Sequence, residues 1–286
     1  NAQLTNGKNL LLTPGVYNLT EPIHVMHPNT VVLGLGLATL RPTRGTPGMS
    51  TEEADGIEIA GLLFDAGAGN SPVLLDVGPD KDKARHEKNP ITLHDVFFRV
   101  GGGGIGRATV NLRINSNDVI VDHTWIWRAD HEEGVGWNSN TSDNGLIVNG
   151  NEVTIYGLFV EHHEKFQVLW NGDGGRTYFY QSEIPYDPPD QASYSSGPGV
   201  NGWASYKVAD SVARHEAWGL GIYSVFIQPH VNLSRAIEVP KKPGIRFHHM
   251  ITVALGDHGE ISNVINDKGG PTSIRPRVTP KVAEFP

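Results

Sequence analysis

The sequence contains no cysteine among its 286 residues, which excludes a disulfide scaffold and any site that needs a thiolate. It has no apolar run near the ~18 residues that a membrane-spanning helix requires. Blocks of like charge and basic clusters are also missing, and the net charge is −8. These absences exclude the usual electrostatic footprint of a nucleic-acid-binding protein. We therefore expect neither nucleic acid nor a membrane among the partners.

Helical periodicity is nearly absent as well, whereas glycine (34 residues) and proline (19 residues) are abundant. Together they interrupt every candidate helix longer than about ten residues, so short elements joined by turns are expected. Hydrophobic residues make up 38% of the chain and charged residues 19%. This composition is typical of a folded domain with a sizeable core rather than of a disordered chain.

The chain contains an internal repeat in which apolar residues recur at offsets 0, 2, 5 and 7. The best matches start at Ile57, Ile91, Val119, Val153 and Ile245. Three weaker matches start at Val31, at Thr177 with a polar Ser182, and near Val212. Alternation at 0 and 2 predicts a half-buried strand, and the shift to odd offsets predicts a bend before a second strand.

One such unit cannot bury its own apolar side, but units stacked about 4.8 Å apart can. We therefore predict an all-β fold, a right-handed parallel β-helix of the pectate-lyase-like type with about 8–9 rungs. It forms one domain over 1–286, with entry coils in 1–56, regular rungs in 57–266 and a C-terminal tail in 267–286. An ordinary antiparallel β protein is the alternative. The irregular repeat length predicts that loops of variable length leave one corner and form the binding face.

Polar and aromatic residues concentrate between Asn117 and Asp187. Glu161 directly follows an inward residue of one rung, and Glu183 lies near the equivalent place in the next. Two carboxyl groups some 5–10 Å apart are the geometry of glycoside hydrolysis. Neighbouring aromatic residues would lower the local dielectric, raise the pKa of one glutamate and keep it protonated as an acid. The alternative from spacing alone is that both glutamates are solvated loop residues.

Other polar features of the chain admit more than one interpretation. Trp125 falls one place off the inward pattern, so it should face outward, either beneath a loop or against a sugar ring. His123 and His131 could bind a metal with Asp122 or Asp130, although no HxH or HExxH spacing is present. The charged loop 80–88 is expected to be solvated, and the long loop 185–198 to be functional.

Three acceptor sequons for N-glycosylation are present, at Asn18, Asn140 and Asn232. No signal peptide is visible at Asn1. From the sequons we expect a secreted, extracellular glycoprotein.

Several long motifs resemble a known family. They are GLLFDAG at 61–67, DHTWIWRADH at 122–131, GLFVEHHEKFQVLWNGDGGRTYFYQSEIPYDPP at 157–189 and YKVADSVARHEAWGLG at 206–221. They resemble the C-terminal β-helix half of secreted proteins that are similar to glycoside hydrolase family 55, the exo-acting β-1,3-glucanases. The resemblance covers essentially all 286 residues.

The resemblance implies two β-helices side by side with the substrate groove between them, and an inverting mechanism. It implies Glu183 as the general acid and Glu161 as the group that polarises the attacking water. We expect neither a cofactor nor a metal. It also implies a β-glucan substrate and an N-terminal β-helix half as partner, covalent or as a separate chain. The expected substrate contacts are Trp125, Asp130, His162, Gln167, Tyr178, Gln181, Tyr186 and Trp218.

Two other functions remain open at the level of sequence. A polysaccharide lyase would use Arg128 or Lys165 as its basic residue, with calcium held by Asp122 and Asp130. A non-catalytic β-helix would bind glycans or serve as a structural element, and neither glutamate would matter to it.

Overall fold

The structure, a computed structural model, describes residues 1–80 and 84–286, so part of the charged loop 80–88 lies outside the described residues. Within them the chain forms one short helix and 23 strands. The elements up to the middle of the chain are α1 (Ala2–Thr5), β1 (Leu10–Leu12), β2 (Val16–Leu19), β3 (Ile23–Val25), β4 (Val31–Pro42), β5 (Met49–Thr51), β6 (Glu58–Asp65), β7 (Leu75–Val77), β8 (Thr92–Val100), β9 (Val110–Ile114), β10 (Ile120–Arg128) and β11 (Asn144–Val148). The remaining elements are β12 (Thr154–Glu161), β13 (Val168–Trp170), β14 (Gly175–Glu183), β15 (Ser195–Gly197), β16 (Val200–Asn201), β17 (Tyr206–Val208), β18 (His215–Ser224), β19 (Ile237–Glu238), β20 (Ile245–Ala254), β21 (Ser273–Ile274), β22 (Arg277–Val278) and β23 (Lys281–Phe285).

Two large sheets run along the stack of rungs. The long strands pair in the order β1-β4-β6-β8-β10-β12-β14-β18-β20-β23, with β2 beside β4. The short strands pair in the order β19-β17-β13-β11-β9-β7-β5-β3. Each regular rung therefore contributes one long and one short strand, and neighbouring rungs pair in parallel. The predicted all-β, pectate-lyase-like parallel β-helix is confirmed.

A sharp bend divides each long strand into a first leg and a second leg. One residue with left-handed φ marks it in every rung, for example Asp95 (51°), His123 (60°), Gly157 (62°) and Phe179 (67°). In β10 the inward residues are Val121 before the bend, and Thr124 and Ile126 after it, all buried. The predicted change from even to odd offsets is this bend, because one left-handed residue reverses which side chains face the core.

The predicted register is wrong in one central rung. β14 starts two residues earlier than the predicted start at Thr177, since Thr177 pairs with Ile155 rather than with Val153. Phe179, predicted to face the core, is the bend residue and is 56% exposed. The bend usually falls on a residue that tolerates φ > 0, and a bulky phenylalanine gave no such signal.

Two peripheral rungs also differ from prediction. In β4 the buried residue is Val32, whereas Leu33 is exposed, because the pairing with β6 is irregular between Leu33 and Ala38. The rung expected near Val212 forms its long strand only from His215. The segment of β4 contains extra residues that break the repeat.

The two ends of the stack are finished differently. At the start, α1 precedes the first coils, and at the end β23 pairs antiparallel with β20 and covers its edge. Covering an edge blocks further strand addition. No described helix is long and apolar enough to cross a membrane. The predicted division into one domain over 1–286 stays a prediction.

Candidate active site

The last outward position of the second leg carries a column of unusual side chains. Trp127 pairs in register with Glu161, Glu161 with Glu183, and Glu183 with Tyr223. We call these four residues the carboxylate column. Adjacent strands lie about 4.8 Å apart, so the two glutamates occupy equivalent places one rung apart. The corrected register of β14 brings them closer to equivalence than the sequence repeat predicted.

Glu161 is half-buried and held by nitrogen donors. The indole Nε1 of Trp125 donates to its Oε2 at 2.6 Å. Burial raises the pKa of Glu161, while hydrogen bonds from the Trp125 and Gln181 side chains lower it; the charge of Asp130 raises it further. The net shift of the Glu161 pKa is upward; the two donors oppose it and favour the ionised form, which is the form a base requires.

Glu183 has a different environment. The hydroxyl of Tyr186 donates to its Oε2. Burial and the nearby charges of Glu161 and Asp130 raise the pKa of Glu183 to about 7. Glu183 therefore keeps its proton at a pH well above the usual range of a carboxylic acid.

Beside the column, Asp130 and His162 form a polar support. The His162 imidazole is buried, which lowers its pKa to about 4, and its Nε2 lies 3.6 Å from Oδ1 of Asp130. The same carboxylate accepts hydrogen bonds from Trp127 Nε1 at 3.3 Å and pairs with His131 at 3.0 Å. The ring of His162 contacts that of Tyr186, with centroids 4.5 Å apart. Asp130 therefore holds Trp127, and His162 holds Tyr186, the residue that donates to Glu183.

Arg128 lies beneath the site, fully buried. Its guanidinium donates to both carboxylate oxygens of Asp187 at 2.9 and 3.0 Å, and to the carbonyl of His162 at 3.1 Å. It also donates to the carbonyl of Asn140 at 2.9 Å. The arginine thus ties together the segments that follow Glu161 and Glu183. It is not accessible as the base of a lyase, which was one of the sequence-based alternatives.

An open concavity of about 390 Å³ lies against the Glu161 side of the column. Its lining is aromatic and polar: Phe97, His123, Trp125, Phe159, Glu161 and Gln181. Trp125 is 42% exposed there, as its position off the inward pattern predicted. Phe97 and Phe159 were not singled out from sequence, although both occupy the same repeat position as Trp125. This alignment was the available signal.

Tyr178 and Trp218, predicted to contact substrate, belong to a different structure. On the first legs Tyr156, Tyr178, Trp218 and His248 stack in one row, which we call the aromatic ladder. Successive centroids are 5.1, 4.9 and 5.2 Å apart, and the rings lie within 12° of parallel. Both faces of Tyr178 and of Trp218 are covered by neighbouring rings. The structure thus places these rings in the ladder rather than in the carboxylate column, and their contact with substrate stays a prediction.

Two further predicted residues serve the fold. Gln167 is fully buried; its Oε1 accepts the amide of His163 and its Nε2 donates to the carbonyl of the same residue, both at 2.8 Å. It holds a turn at this position, and its contact with substrate stays a prediction. Asn140 is buried, with Nδ2 donating to the carbonyls of Val100 and Ala129. This sequon is closed to glycosylation in the folded chain, whereas Asn18 is exposed and Asn232 is partly exposed.

The alternative metal site does not assemble from the residues proposed for it. The nearest basic partner of Asp122 is His94, at 4.0 Å, while Asp130 contacts His131 and His162 beyond the end of β10. Over residues 1–80 and 84–286, no three histidine or acidic side chains are grouped so that they could hold a metal ion.

Comparison with known proteins places the chain in a family. The sequence profile of the LAM55 pectate lyase-like domain matches residues 1–183. An exo-beta-1,3-glucanase of Streptomyces sp. (strain SirexAA-E / ActE) is 48% identical over 287 residues, which is 100% of this chain and 47% of that protein.

Two solved structures agree with that match. The structure of sacteLam55A from Streptomyces sp. SirexAA-E has a TM-score of 0.98 at 48% identity, covering 100% of this chain and 52% of that one. A glutamate-to-alanine variant of sacteLam55A in complex with glucose has a TM-score of 0.97 at 47% identity, with the same coverage. The chain spans about half the length of these relatives. It belongs to the LAM55 pectate lyase-like domain family.

Proposed function

We propose that this chain carries the acid–base pair of an inverting glycoside hydrolase of the exo-β-1,3-glucanase type. The observation that carries the proposal is the register pairing of Glu161 with Glu183 at the edge of an aromatic concavity. The exo-beta-1,3-glucanase named among its relatives supports β-1,3-glucan as the substrate class. Glu183 is assigned as the general acid and Glu161 as the base that activates water.

The environments of the two carboxyl groups support this division of roles. Glu183 has a pKa raised to about 7 and so retains the proton that a leaving glycosidic oxygen needs. Glu161 receives the indole N–H of Trp125, which stabilises its anion. Separate acid and base carboxyl groups are the requirement of glycoside hydrolysis.

Inversion is the mechanism that the family resemblance implies. The two carboxyl groups are held by different partners: Trp125 on the preceding rung donates to Glu161, and Tyr186, beyond the end of β14, donates to Glu183. An inverting pair leaves room for a water molecule between base and sugar. We extend the proposal to that arrangement.

In the proposed reaction, the terminal glucose lies between the two groups, against Trp125 and Phe159. Glu183 donates its proton to the glycosidic oxygen as the C–O bond breaks, and Glu161 accepts a proton from the water that attacks the anomeric carbon. The products are α-glucose and a shortened chain. The pair ends with Glu183 ionised and Glu161 protonated, and proton exchange with solvent restores it.

Neither basic residue named for the polysaccharide-lyase alternative is free of a partner. Arg128 is buried on Asp187, and Lys165 Nζ is bonded to Asp143 at 2.8 Å. We further propose that a second β-helix completes the groove, since the relatives are about twice as long as this chain. An extracellular location stays a prediction.

The test measures glucose release from a laminarin-type β-1,3-glucan by the chain alone and by the chain joined to the part of the Streptomyces relative that it does not span. Glu183→Gln and Glu161→Gln should each lower kcat by at least about 10³-fold, while Glu216→Gln, an exposed-face control, should not. Proton NMR should detect α-glucose first. Activity of the wild-type form should fall as pH rises through about 7, where Glu183 loses its proton. Full activity of Glu183→Gln would refute the assignment.

A further inference from the structure

The outward residues of the second legs differ in size on the two sides of the Glu161–Glu183 pair. On the Glu161 side, outward positions of the second legs hold the large rings of Trp125 and Phe159. On the Glu183 side, β18 places Gly221 beside Gln181 and Tyr223 beside Glu183. Glycine in a strand interior weakens the strand and often marks the close approach of another group.

The group that approaches Gly221 is the side chain of Tyr223. A Cβ added at Gly221 would lie 3.2 Å from both Cε2 and the hydroxyl oxygen of Tyr223. The tyrosine ring therefore leans back along its own strand and occupies the space above Gly221. One side of the ring covers the glycine backbone, and the half-buried residue presents its other side outward, next to Glu183.

The line along which the bond is displaced determines which part of the substrate would lie beside Tyr223. In an inverting displacement, the water and the leaving group are on opposite sides of the anomeric carbon. The base Glu161 lies on β12 and the acid Glu183 on β14, so the line from water to leaving oxygen points toward β18. The next sugar of the chain is bonded to that leaving oxygen.

We propose that the ring of Tyr223 is the platform for the sugar on the leaving-group side of the scissile bond. Gly221 is then a specificity-determining residue, because a Cβ at this position would lie 3.2 Å from the ring and force the ring to shift. This inference rests on the proposed function and extends it to a binding subsite. Tyrosine suits the role because it offers a rigid apolar face at low entropic cost, together with a polar hydroxyl.

The test compares two substrates that differ in the leaving group. Laminaritriose needs a sugar beyond Glu183, whereas β-D-glucosyl fluoride releases only fluoride and needs none. Tyr223→Ala and Gly221→Ala should each lower kcat/KM for laminaritriose about tenfold and leave the fluoride reaction within about twofold. Tyr223→Phe should behave like the wild type, since it keeps the ring. Tyr156→Ala, an exposed tyrosine on the first leg, is the matched control.

The outcomes separate the two proposals. A loss confined to laminaritriose supports the platform, and the retained fluoride reaction shows that the variants are folded. Equal loss on both substrates, or no loss on either, would overturn the platform while leaving the acid–base assignment intact. If the wild-type protein, joined as above, hydrolyses neither substrate, the proposed function fails, and the platform with it.

Discussion

The carboxylate column and the aromatic ladder are built on the same long strands, on opposite sides of the bend. In the ladder, Tyr178 stacks between Tyr156 and Trp218 at about 5 Å on each side. In the column, Glu161 is stacked in register on Glu183. Stacked rings attract by about 0.5–1.5 kcal/mol per pair, whereas like charges directly opposite destabilise a sheet.

The difference shows that outward positions of one β-helix can serve two purposes: some side chains stabilise the fold, and others form a site for chemistry. Rings that satisfy one another leave no face for a ligand, so the ladder serves the fold. Two carboxyl groups in register would repel one another if both were ionised, and the raised pKa of Glu183 avoids this. Trp125, Tyr186 and the buried Arg128 hold the surroundings of the pair. A local arrangement that opposes stability is typical of a functional site.

The largest expected effect concerns the support beneath the column. Arg128→Met should lower the free energy of unfolding by about 3–5 kcal/mol, because it leaves the carboxylate of Asp187 without its buried partner. Arg246→Met, whose pair with Glu216 is long and exposed, should cost less than about 0.5 kcal/mol. Urea unfolding measures both. Equal costs would mean that Arg128 does not anchor the site.

The ladder should yield a stability effect without a catalytic one. Trp218→Ala should cost about 2–3 kcal/mol, because it removes a large ring stacked on both faces. Tyr156→Ala, at the ladder's end, should cost less. Thermal unfolding and glucan hydrolysis are measured on the same samples. A fall in kcat/KM beyond about twofold in folded Trp218→Ala would restore this ring as a substrate contact.

The smallest of the three effects is expected at Trp125, a tryptophan that donates a hydrogen bond to a proposed catalytic group. Trp125→Phe removes the N–H donated to Glu161, which raises the pKa of that carboxyl group. The base is then ionised only at higher pH, so the acidic limb of the kcat/KM profile should move upward and kcat should fall about tenfold. Trp203→Phe, packed on Phe166 outside the column, is the control. An unmoved acidic limb would contradict the assigned role of Trp125.

Most of the fold could be predicted from the sequence, because each regular rung must bury one side of its strands against the same core. Val119, Val121, Thr124 and Ile126 face the core, as the repeat predicted. The prediction failed at Thr177, where alternation continues across the true bend at Phe179 and no glycine marks it. Period-two patterns cannot locate a bend by themselves, since a shift by two residues changes the face only of the residues next to the bend, here Phe179 and Tyr180, and leaves Thr177 and Ser182 buried as predicted.

The candidate site was less accessible to sequence reasoning. Spacing allowed Glu161 and Glu183 to be paired, but their roles came from family resemblance. Tyr223 was not predicted, because the long loop between β14 and β18 hides its register with Glu183. Gln167 and Tyr178 were predicted as substrate contacts because they are polar or aromatic and nearby. Burial of Gln167 and ring stacking of Tyr178, which depend on neighbouring rungs, give both residues a role in the fold, and their contact with substrate stays a prediction.

The central claim is that Glu183 is the acid and Glu161 the base, and hydrolysis of β-D-glucosyl fluoride beside laminaribiose tests it most directly. Fluoride leaves without much help from an acid, but water must still be activated. Glu183→Gln should therefore lose at least about 10³-fold on laminaribiose and no more than about tenfold on the fluoride, while Glu161→Gln should lose heavily on both. If Glu183→Gln loses both activities equally, or Glu161→Gln keeps the fluoride reaction, the assignment is contradicted.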